Sequence, residues 1–373
     1  MMNQRLKVML VTASMWFGGA ERLILDMAQR MDAAQVELHI CAIGRFDENT
    51  LLSEFKKLHI PLRVIPNASL YNPRAVAAVW RYIRRHNIDV VHTHLMDGDI
   101  VGRIAGRLAG RPTVSTLHNI CAQYNRHRWD RKQLGRLTAR YLATRLVAVA
   151  DFVGQSFVEG WNIPPERIST IYNATQIERF LAVEAGTGPG AAQTGLTVTT
   201  VGSLIPQKGH HILLQAAAQI LQRRPGIRFL IVGEGELGPS LRQMAAGLGL
   251  AGRVTFTGLR NDIPQILARS DIFVLPSLWE GLPVSAIEAM AAARPVVLTD
   301  VGGNRELVEP DRHGLIVPPN NPGALAEALL ALLNDPSRRL AMGHAARARA
   351  EQTFNFERFI SQYQALYRAV ALH

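Results

Sequence analysis

Short apolar runs alternate with stretches of helical period along most of the 373 residues. The runs "LKVMLVTA", "VELHICAI", "DVVHTH" and "PTVSTLH" read as buried strands. The segments near 19–31, 73–86 and 97–109 space their apolar residues three and four apart, as amphipathic helices do. Strand followed by helix, repeated, argues for a parallel sheet wound on both faces. The alternation then restarts. Residues 184–195, "EAGTGPGAAQTG", have the small-residue composition of a linker. Beyond them come "LTVTTVGSL", a helix from about residue 209, "IRFLIVGEG", "RVTFTGL", "DIFVLPS", "RPVVLTD" and "HGLIVPP". The pattern predicts an α/β protein of two doubly wound, Rossmann-like domains, 1–183 and 196–352, facing a central cleft. The last stretch, 353–373, carries Phe356, Phe359, Ile360, Tyr363, Leu366, Tyr367 and Val370 at helical spacing. It reads as a docked terminal helix that packs back on the first domain.

Composition supports this picture and narrows it. With 48% hydrophobic and 19% charged residues the chain is that of an ordered globular protein. Its length exceeds what one core usually sustains. The two cysteines, Cys41 and Cys121, are far apart and lack a metal-ligand spacing, so neither a disulfide framework nor a cysteine-rich zinc site is indicated, and a reducing compartment is the expected home. The apolar run near residue 8 resembles a secretory signal only in outline, because it passes into a glycine turn and a helix pattern, as a first buried strand does. No stretch approaches the roughly 20 apolar residues of a membrane span.

Charge adds one candidate surface. Of the formal net charge of +11, residues 1–190 carry +8. Much of it sits in "QYNRHRWDRKQLGRLTARYLATR", residues 123–145, read as one helix in which Arg126, Arg128, Arg131, Lys132, Arg136, Arg140 and Arg145 interleave with Trp129, Leu134, Leu137 and Tyr141. Such a face suits anionic lipid head groups or a phosphate-bearing acceptor; a solvated basic helix face is the plain alternative. Charge concentrated on one helix without a recognised recognition module argues against nucleic acid.

The candidate chemistry lies in loops that follow strands, where parallel sheets bind their ligands. Lys208, in "VGSLIPQKGHH", precedes a helix and can neutralise a phosphate held by free helix amides. In "EGLPVSAIE", residues 280–288, Pro283 suits a helix start, which predicts a helix from about Pro283 to Ala292. Glu288 then lies about 7 to 8 Å along the axis from the amide-rich end, the reach from a diphosphate to the ribose of the same nucleotide. A carboxylate there accepts from both hydroxyls of a ribose, and Glu280 on the other side of the phosphate position can hold an attached sugar. A surface glutamate and a loop charge remain the alternative. A rival signal is "FLIVGEGELG", in which Gly233, Gly235 and Gly238 have the dinucleotide spacing after a strand; the acid expected at the end of the next strand is replaced by Thr257, Gly258 and Leu259, which favours a tight strand-to-helix turn. His92 and His94 share a strand face without a third ligand in view and read as a buried or cleft-lining pair.

The segment "SLWEGLPVSAIEAMAAARPVVLTDVGGNRELV" resembles the signature of glycosyltransferase family 4, retaining enzymes of the GT-B fold. The similarity extends to "FGGAERLILDMAQRM", "TLHN", "VGSLIPQKG", "VGEG" and "GLRNDIPQILARSDIFVLPS", in order and nearly end to end. The resemblance implies that Glu288 holds the ribose and Glu280 the donor sugar, with the amides around Gly281, Leu282 and Pro283 facing sugar and phosphates. It implies that Lys208 neutralises the leaving diphosphate, that Gly18 and Gly19 approach it from the first domain, that Ser203 and Gly233 belong to the donor loops, that Gly258 and Leu259 cover the base, and that His118 faces the reacting sugar. Two stretches depart from the pattern. Ser203 stands where many members have an arginine, and "YNATQIERF" has Ala174 and Gln176 where many read Asn-Gly-x-Asp.

The function expected is transfer of a sugar, with retention, from a nucleotide sugar, UDP-linked in preference to GDP-linked, to a saccharide or lipid-linked acceptor of envelope or exopolysaccharide synthesis. The expected setting is the cytoplasm or the inner face of the cytoplasmic membrane. No cofactor and no metal are expected, since Lys208 and a helix start can stabilise the leaving charge. An NAD-dependent oxidoreductase and a non-catalytic nucleotide-sugar or partner-binding protein are the competing readings.

Overall fold

The computed structural model of the chain describes residues 5–13, 15, 18–44, 51–66, 72–124, 128–183 and 195–372. Contacts divide it into two units, one formed by residues 1–173 together with 357–373, the other by 174–356. The linker expected at 184–195 lies outside the described residues except for Gly195.

The first unit is built on seven strands: β1 (Leu6–Thr12), β2 (Val36–Gly44), β3 (Leu62–Pro66), β4 (Val90–His94), β5 (Thr113–Leu117), β6 (Arg145–Ala148) and β7 (Ile168–Thr170). They run in the order β3-β2-β1-β4-β5-β6-β7, all parallel. Burial on both faces explains the unbroken apolar runs, since β1 has Val8, Met9, Leu10 and Val11 at zero exposure. On one face Met9, Val11 and Val91 pack with Val79, Ile83, Val101 and Ala105 from the helices Pro73–His86 and Met96–Leu108. Each such buried aliphatic side chain contributes about 1.5–3 kcal/mol.

The second unit has six parallel strands: β8 (Thr197–Val201), β9 (Arg228–Val232), β10 (Val254–Gly258), β11 (Ile272–Leu275), β12 (Val296–Thr299) and β13 (Gly314–Val317). Their order is β10-β9-β8-β11-β12-β13. Val198, Phe229, Ile231, Val274 and Val297 form its core with Ile212, Leu213, Leu329 and Leu333 from flanking helices. In both sheets the order reverses beside the first strand of the unit, between β1 and β4 and between β8 and β11. Ligands of doubly wound sheets bind beyond the carboxyl ends of strands at such reversals.

Three expectations are corrected in detail. The segment 123–145 is not one helix: a short helix Cys121–Tyr124 precedes the helix Trp129–Tyr141, and Arg145 opens β6. The difference has local causes, because Arg128, the N-cap of the second helix, has non-helical backbone angles and Arg145 pairs with Val114 of β5. Residues 174–183 belong with the second unit, not the first. There the helix Glu178–Leu181 buries Phe180 and packs on the helices Ile263–Ala268 and Val284–Ala291. The terminal helix runs Phe356–Ala371, and residue 353 still closes the preceding helix, Pro336–Thr353.

Candidate functional site

The loops after β8 and β11, the two strands flanking the reversal in the second unit, meet at an ion pair. Lys208 ends a short turn, Pro206–Lys208, just before the helix His210–Arg223. Its Nζ lies 2.6 Å from Glu280 Oε1. Ser277 Oγ donates to the same oxygen at 2.6 Å, and Gln207 Nε2 to Oε2 at 3.4 Å. Gln207 also donates to the Trp279 carbonyl, while its own carbonyl accepts from the Leu278 amide, so the two loops are laced together by main chain. Glu280 is 4% exposed, and burial without these partners would be costly. The lysine brings a charge-assisted bond that offsets the desolvation of the carboxylate.

The next loop supports this one. After β12, Gly302 has φ +53 and lies so close to the Glu280 main chain that a Cβ would fall 1.9 Å from its carbonyl oxygen. The Gly303 amide donates to the Gly281 carbonyl at 2.9 Å. Thr299 Oγ1 donates to the Ser277 carbonyl, and buried Asn304 ties back to Thr299. Pro283 caps the helix Val284–Ala291 from outside rather than opening it. The Ala286 and Ile287 amides turn back to the Pro283 carbonyl, so Val284 and Ser285 have no intrahelical acceptor and present their N–H groups at the helix start. Glu288 is half-buried and lies about 6 Å along the axis from Val284.

The other positions expected to meet the donor have structural reasons of their own. A Cβ on Gly233 would meet the Gly202 carbonyl at 2.1 Å, and one on Gly235 the Leu204 carbonyl at 2.5 Å. These glycines let the loop after β9 pack against the loop after β8. A dinucleotide fingerprint would instead follow the first strand of the unit, which is β8. Gly258 ends β10, its carbonyl accepting from the Gly233 amide, and Leu259 beside it is exposed. Ser203 is half-buried, and its carbonyl accepts from His210 Nε2 at 3.2 Å.

In the first unit Gly18 caps and Gly19 opens the helix Gly19–Arg30 that follows β1. His118 stands one residue beyond β5. The register pairs His94 of β4 with Thr116 of β5, and residues two apart share a face, which gathers His92, His94, Thr116 and His118. His94 Nδ1 lies 3.0 Å from His118 Nε2, and His94 Nε2 is buried without a hydrogen-bond partner. Behind them the terminal helix closes the cluster. His92 contacts the Tyr367 hydroxyl at 2.6 Å and Thr116 at 2.8 Å, and Thr116 contacts the Tyr363 hydroxyl at 2.9 Å. Burial pushes His92 down to about 3 and His118 to about 4, and His94 well below the usual imidazole range, so all three are neutral near pH 7. Among the described residues no group of three or more His, Cys, Asp or Glu side chains is placed to hold a metal ion.

On the helix Trp129–Tyr141 the side toward the unit is Gly135, Thr138 and Ala139, while Trp129, Leu137 and Tyr141 are exposed. Arg128 is exposed, and Lys132, Arg136 and Arg140 are half-buried. Arg131 is drawn to Asp97 at 2.6 Å, and Arg140 donates to the Asn162 carbonyl. Arg126 lies outside the described residues.

The Lys208–Glu280 link and the supports from Gln207, Ser277 and Gly302 are the features that sequence reasoning missed. Seventy-two positions separate the pair. Only the placement of both loops after strands hinted that they meet.

A basic side chain, a buried acid and a helix start gathered at a sheet reversal define a doubly wound α/β protein with a charged pair at the switch point of its second sheet. Comparison with known proteins makes this specific. Family models described as Glycosyltransferase Family 4 and Glycosyl transferases group 1 match residues 17–179 and 195–335. The D-inositol 3-phosphate glycosyltransferase of Rhodococcus opacus (strain B4) is 31% identical over 312 residues, 76% of this chain and 68% of that one. The UDP-Gal:alpha-D-GlcNAc-diphosphoundecaprenol alpha-1,3-galactosyltransferase of Escherichia coli is 27% identical over 378 residues, 98% of this chain and 97% of that one. The crystal structure of Anabaena Alr3699/HepE in complex with UDP-glucose superposes with a TM-score of 0.85 at 26% identity, covering 98% of this chain and 100% of the other. The chain belongs to glycosyltransferase family 4, and its two parallel sheets are those of the GT-B class.

Proposed function

We propose that the protein is a retaining glycosyltransferase that moves a sugar from a UDP-linked donor, with a GDP-linked donor as second choice, to a saccharide or lipid-linked acceptor in envelope or exopolysaccharide synthesis. The observation that carries the reading is the Lys208–Glu280 pair at the β8/β11 reversal, beside the free amides of Val284 and Ser285. Support for the donor comes from the UDP-glucose bound in Alr3699/HepE, and for the acceptor from the diphosphoundecaprenol in the name of the Escherichia coli relative.

In this reading the diphosphate lies against the start of the helix Val284–Ala291 and Lys208 turns partly from Glu280 to the leaving phosphate. Glu288 takes the ribose, Gly258 and Leu259 cover the base, and Glu280 with the amides of Gly281 and Leu282 holds the sugar. Within the first unit, Gly18, Gly19 and His118, all beyond carboxyl ends of strands, are the proposed substrate contacts. His118, neutral near pH 7, donates or accepts a hydrogen bond without adding charge. Catalysis is stabilisation of departing negative charge and positioning of the acceptor hydroxyl, with Lys208 and backbone amides rather than a metal or cofactor supplying the positive field. The departing phosphate takes the acceptor's proton on the same face of the sugar. Glu280 as nucleophile is the lesser alternative, because its Oε1 already accepts from Lys208 and Ser277, which lowers its nucleophilicity.

The setting proposed is the cytoplasm, with the exposed face of the helix Trp129–Tyr141 resting on an anionic membrane. Among the described residues no helix is long and apolar enough to cross one. Thermal-shift measurements with UDP, GDP and NAD test the donor class, since a ligand at one hundred times its Kd adds about 2.7 kcal/mol to the folded state. UDP or GDP should raise Tm and NAD should not. Stabilisation by NAD alone would restore the oxidoreductase reading. Donor hydrolysis unchanged in Lys208→Ala and Glu280→Ala would favour a binding protein.

A further inference from the structure

A cavity of about 780 Å³ lies at the other end of the first sheet. Its lining includes Leu6 at the start of β1, Asp89 just before β4, Pro112 just before β5 and Thr144 just before β6. Because the strands are parallel, these positions mark the amino edge of the sheet, opposite the edge at which His118 stands. The size suits a small organic ligand. Three arginines, Arg107, Arg111 and Arg368, line it against one acid, Asp89. That acid is already engaged, Oδ2 accepting from the Lys7 amide at 2.9 Å and Oδ1 lying 3.7 Å from Arg111. Arg107 belongs to the last turn of the helix Met96–Leu108, whose carbonyls accept from the Ala109, Gly110 and Arg111 amides, so the helix end opposes an anion there less than an uncapped one would. The cavity therefore has a positive field.

Exposed apolar side chains border it as well. Tyr141 and Leu372 line it at 67% and 86% exposure, and Leu108, next to Arg107, is 64% exposed. Large apolar side chains left in water around a basic cavity do nothing for a soluble anion; they match a ligand with an anionic head and a hydrocarbon tail. Tyr141 also ends the helix Trp129–Tyr141. That helix leads from β5 to β6, hence from the carboxyl edge to the amino edge, a rise of about 20 Å. At 100° per residue, Trp129, Arg136, Leu137 and Arg140 share its outer side. One continuous face thus joins the cavity to the edge that carries His118.

We propose that this cavity is a headgroup site for an anionic phospholipid, its phosphate among Arg107, Arg111 and Arg368, its glycerol against Tyr141 and its acyl chains leaving past Leu372 and Leu108. The inference rests on the reading that the enzyme works at a membrane surface. It adds to that reading a specific lipid site that fixes the helix Trp129–Tyr141 along the bilayer.

Titration calorimetry of the full chain with monomeric dihexanoyl phosphatidylglycerol tests the cavity, with dihexanoyl phosphatidylcholine and glycerol 1-phosphate as controls. The expected result is saturable binding of phosphatidylglycerol at one site, no binding of phosphatidylcholine, and glycerol 1-phosphate weaker by about tenfold or more. The double variant Arg107→Glu/Arg368→Glu, both at exposed side chains, should weaken phosphatidylglycerol by about tenfold or more. Arg107→Gln should act in the same direction to a smaller extent should the double variant not fold. Trp129→Ala/Leu137→Ala should leave this binding within about twofold while reducing flotation with phosphatidylglycerol vesicles. Equal binding of glycerol 1-phosphate, or undiminished binding by the arginine variants, overturns the lipid site. Flotation by a chain that binds no dihexanoyl phosphatidylglycerol also overturns it and leaves the membrane reading standing. Saturable binding without flotation upholds the cavity and removes the membrane reading of the helix.

Discussion

Lys208 and Glu280 depend on each other before any donor arrives. With Glu280 4% exposed, removing the ammonium leaves a buried carboxylate held only by Ser277 and Gln207. Lys208→Ala is therefore expected to cost on the order of 3 kcal/mol of stability and, in the proposed reading that sets its charge against the leaving group, at least about 10²-fold in turnover. Ser277→Ala keeps the ion pair and removes one donor, so it should cost about 1 kcal/mol and leave most turnover. Chemical denaturation with donor hydrolysis on the same samples checks both. Equal loss of activity in the two variants would mean that Lys208 acts only by holding the loop. The positions were legible in the sequence, since Lys208 and Glu280 stand in loops that follow strands and Glu288 stands a turn into the helix after Pro283. Their pairing was not, because nothing local records which loops a sheet order of β10-β9-β8-β11-β12-β13 brings side by side.

Among the elements, the loop after β12 shows how much of the site is held from outside. Gly302 tolerates φ +53 and the near contact with the Glu280 carbonyl because it has no Cβ. Gly302→Ala should combine the left-handed backbone penalty of about 1 kcal/mol with displacement of the Glu280 main chain. Donor turnover should then fall further than the change in Tm alone accounts for. A variant with wild-type turnover would show that the Glu280 loop does not need this support. Strands and long helices were readable from period alone, for burial on both faces leaves an unbroken apolar signature, as in β1 and β4. The segment 123–145 misled for a physical reason. Basic and apolar residues alternate from one helix to the next without a glycine or proline in the sequence between them, and Arg145 looks like one more helical arginine although it opens β6.

Across the whole molecule, the depressed histidines set an acid limit. His92, His94 and His118 in the first unit and His210 in the second are held neutral by burial, His210 at about 4, whereas an unfolded chain protonates them near 6.5. Below that value the unfolded state binds more protons than the native state. Stability should be level with respect to these groups above about pH 7 and fall as pH drops from about 6.5 toward 4, by up to about 1.4 kcal/mol per unit for each histidine. Thermal melts between pH 8 and pH 5 should show the decline, shallower in His118→Asn; melts that stay flat to pH 5 would contradict the assignment. Sequence reasoning saw the His92–His94 face but not its closure by Tyr363 and Tyr367, which lie some 270 residues further on.

That closure has a consequence for biosynthesis. The chain leaves the first unit at Asn173 and returns at Glu357, so the second unit is an uninterrupted stretch whereas the first is completed only by residues 357–373, which are translated after the whole of the second unit. A fragment of residues 174–356 contains every strand and core contact of its unit and should fold alone. A fragment ending at Asn173 strands His92 and Thr116 in a core that has lost its tyrosine lid. It should emerge from the ribosome as an expanded, protease-sensitive species, rescued when the peptide 357–373 is supplied in trans. Limited proteolysis of the two fragments, with and without that peptide, reads the order in which the molecule assembles.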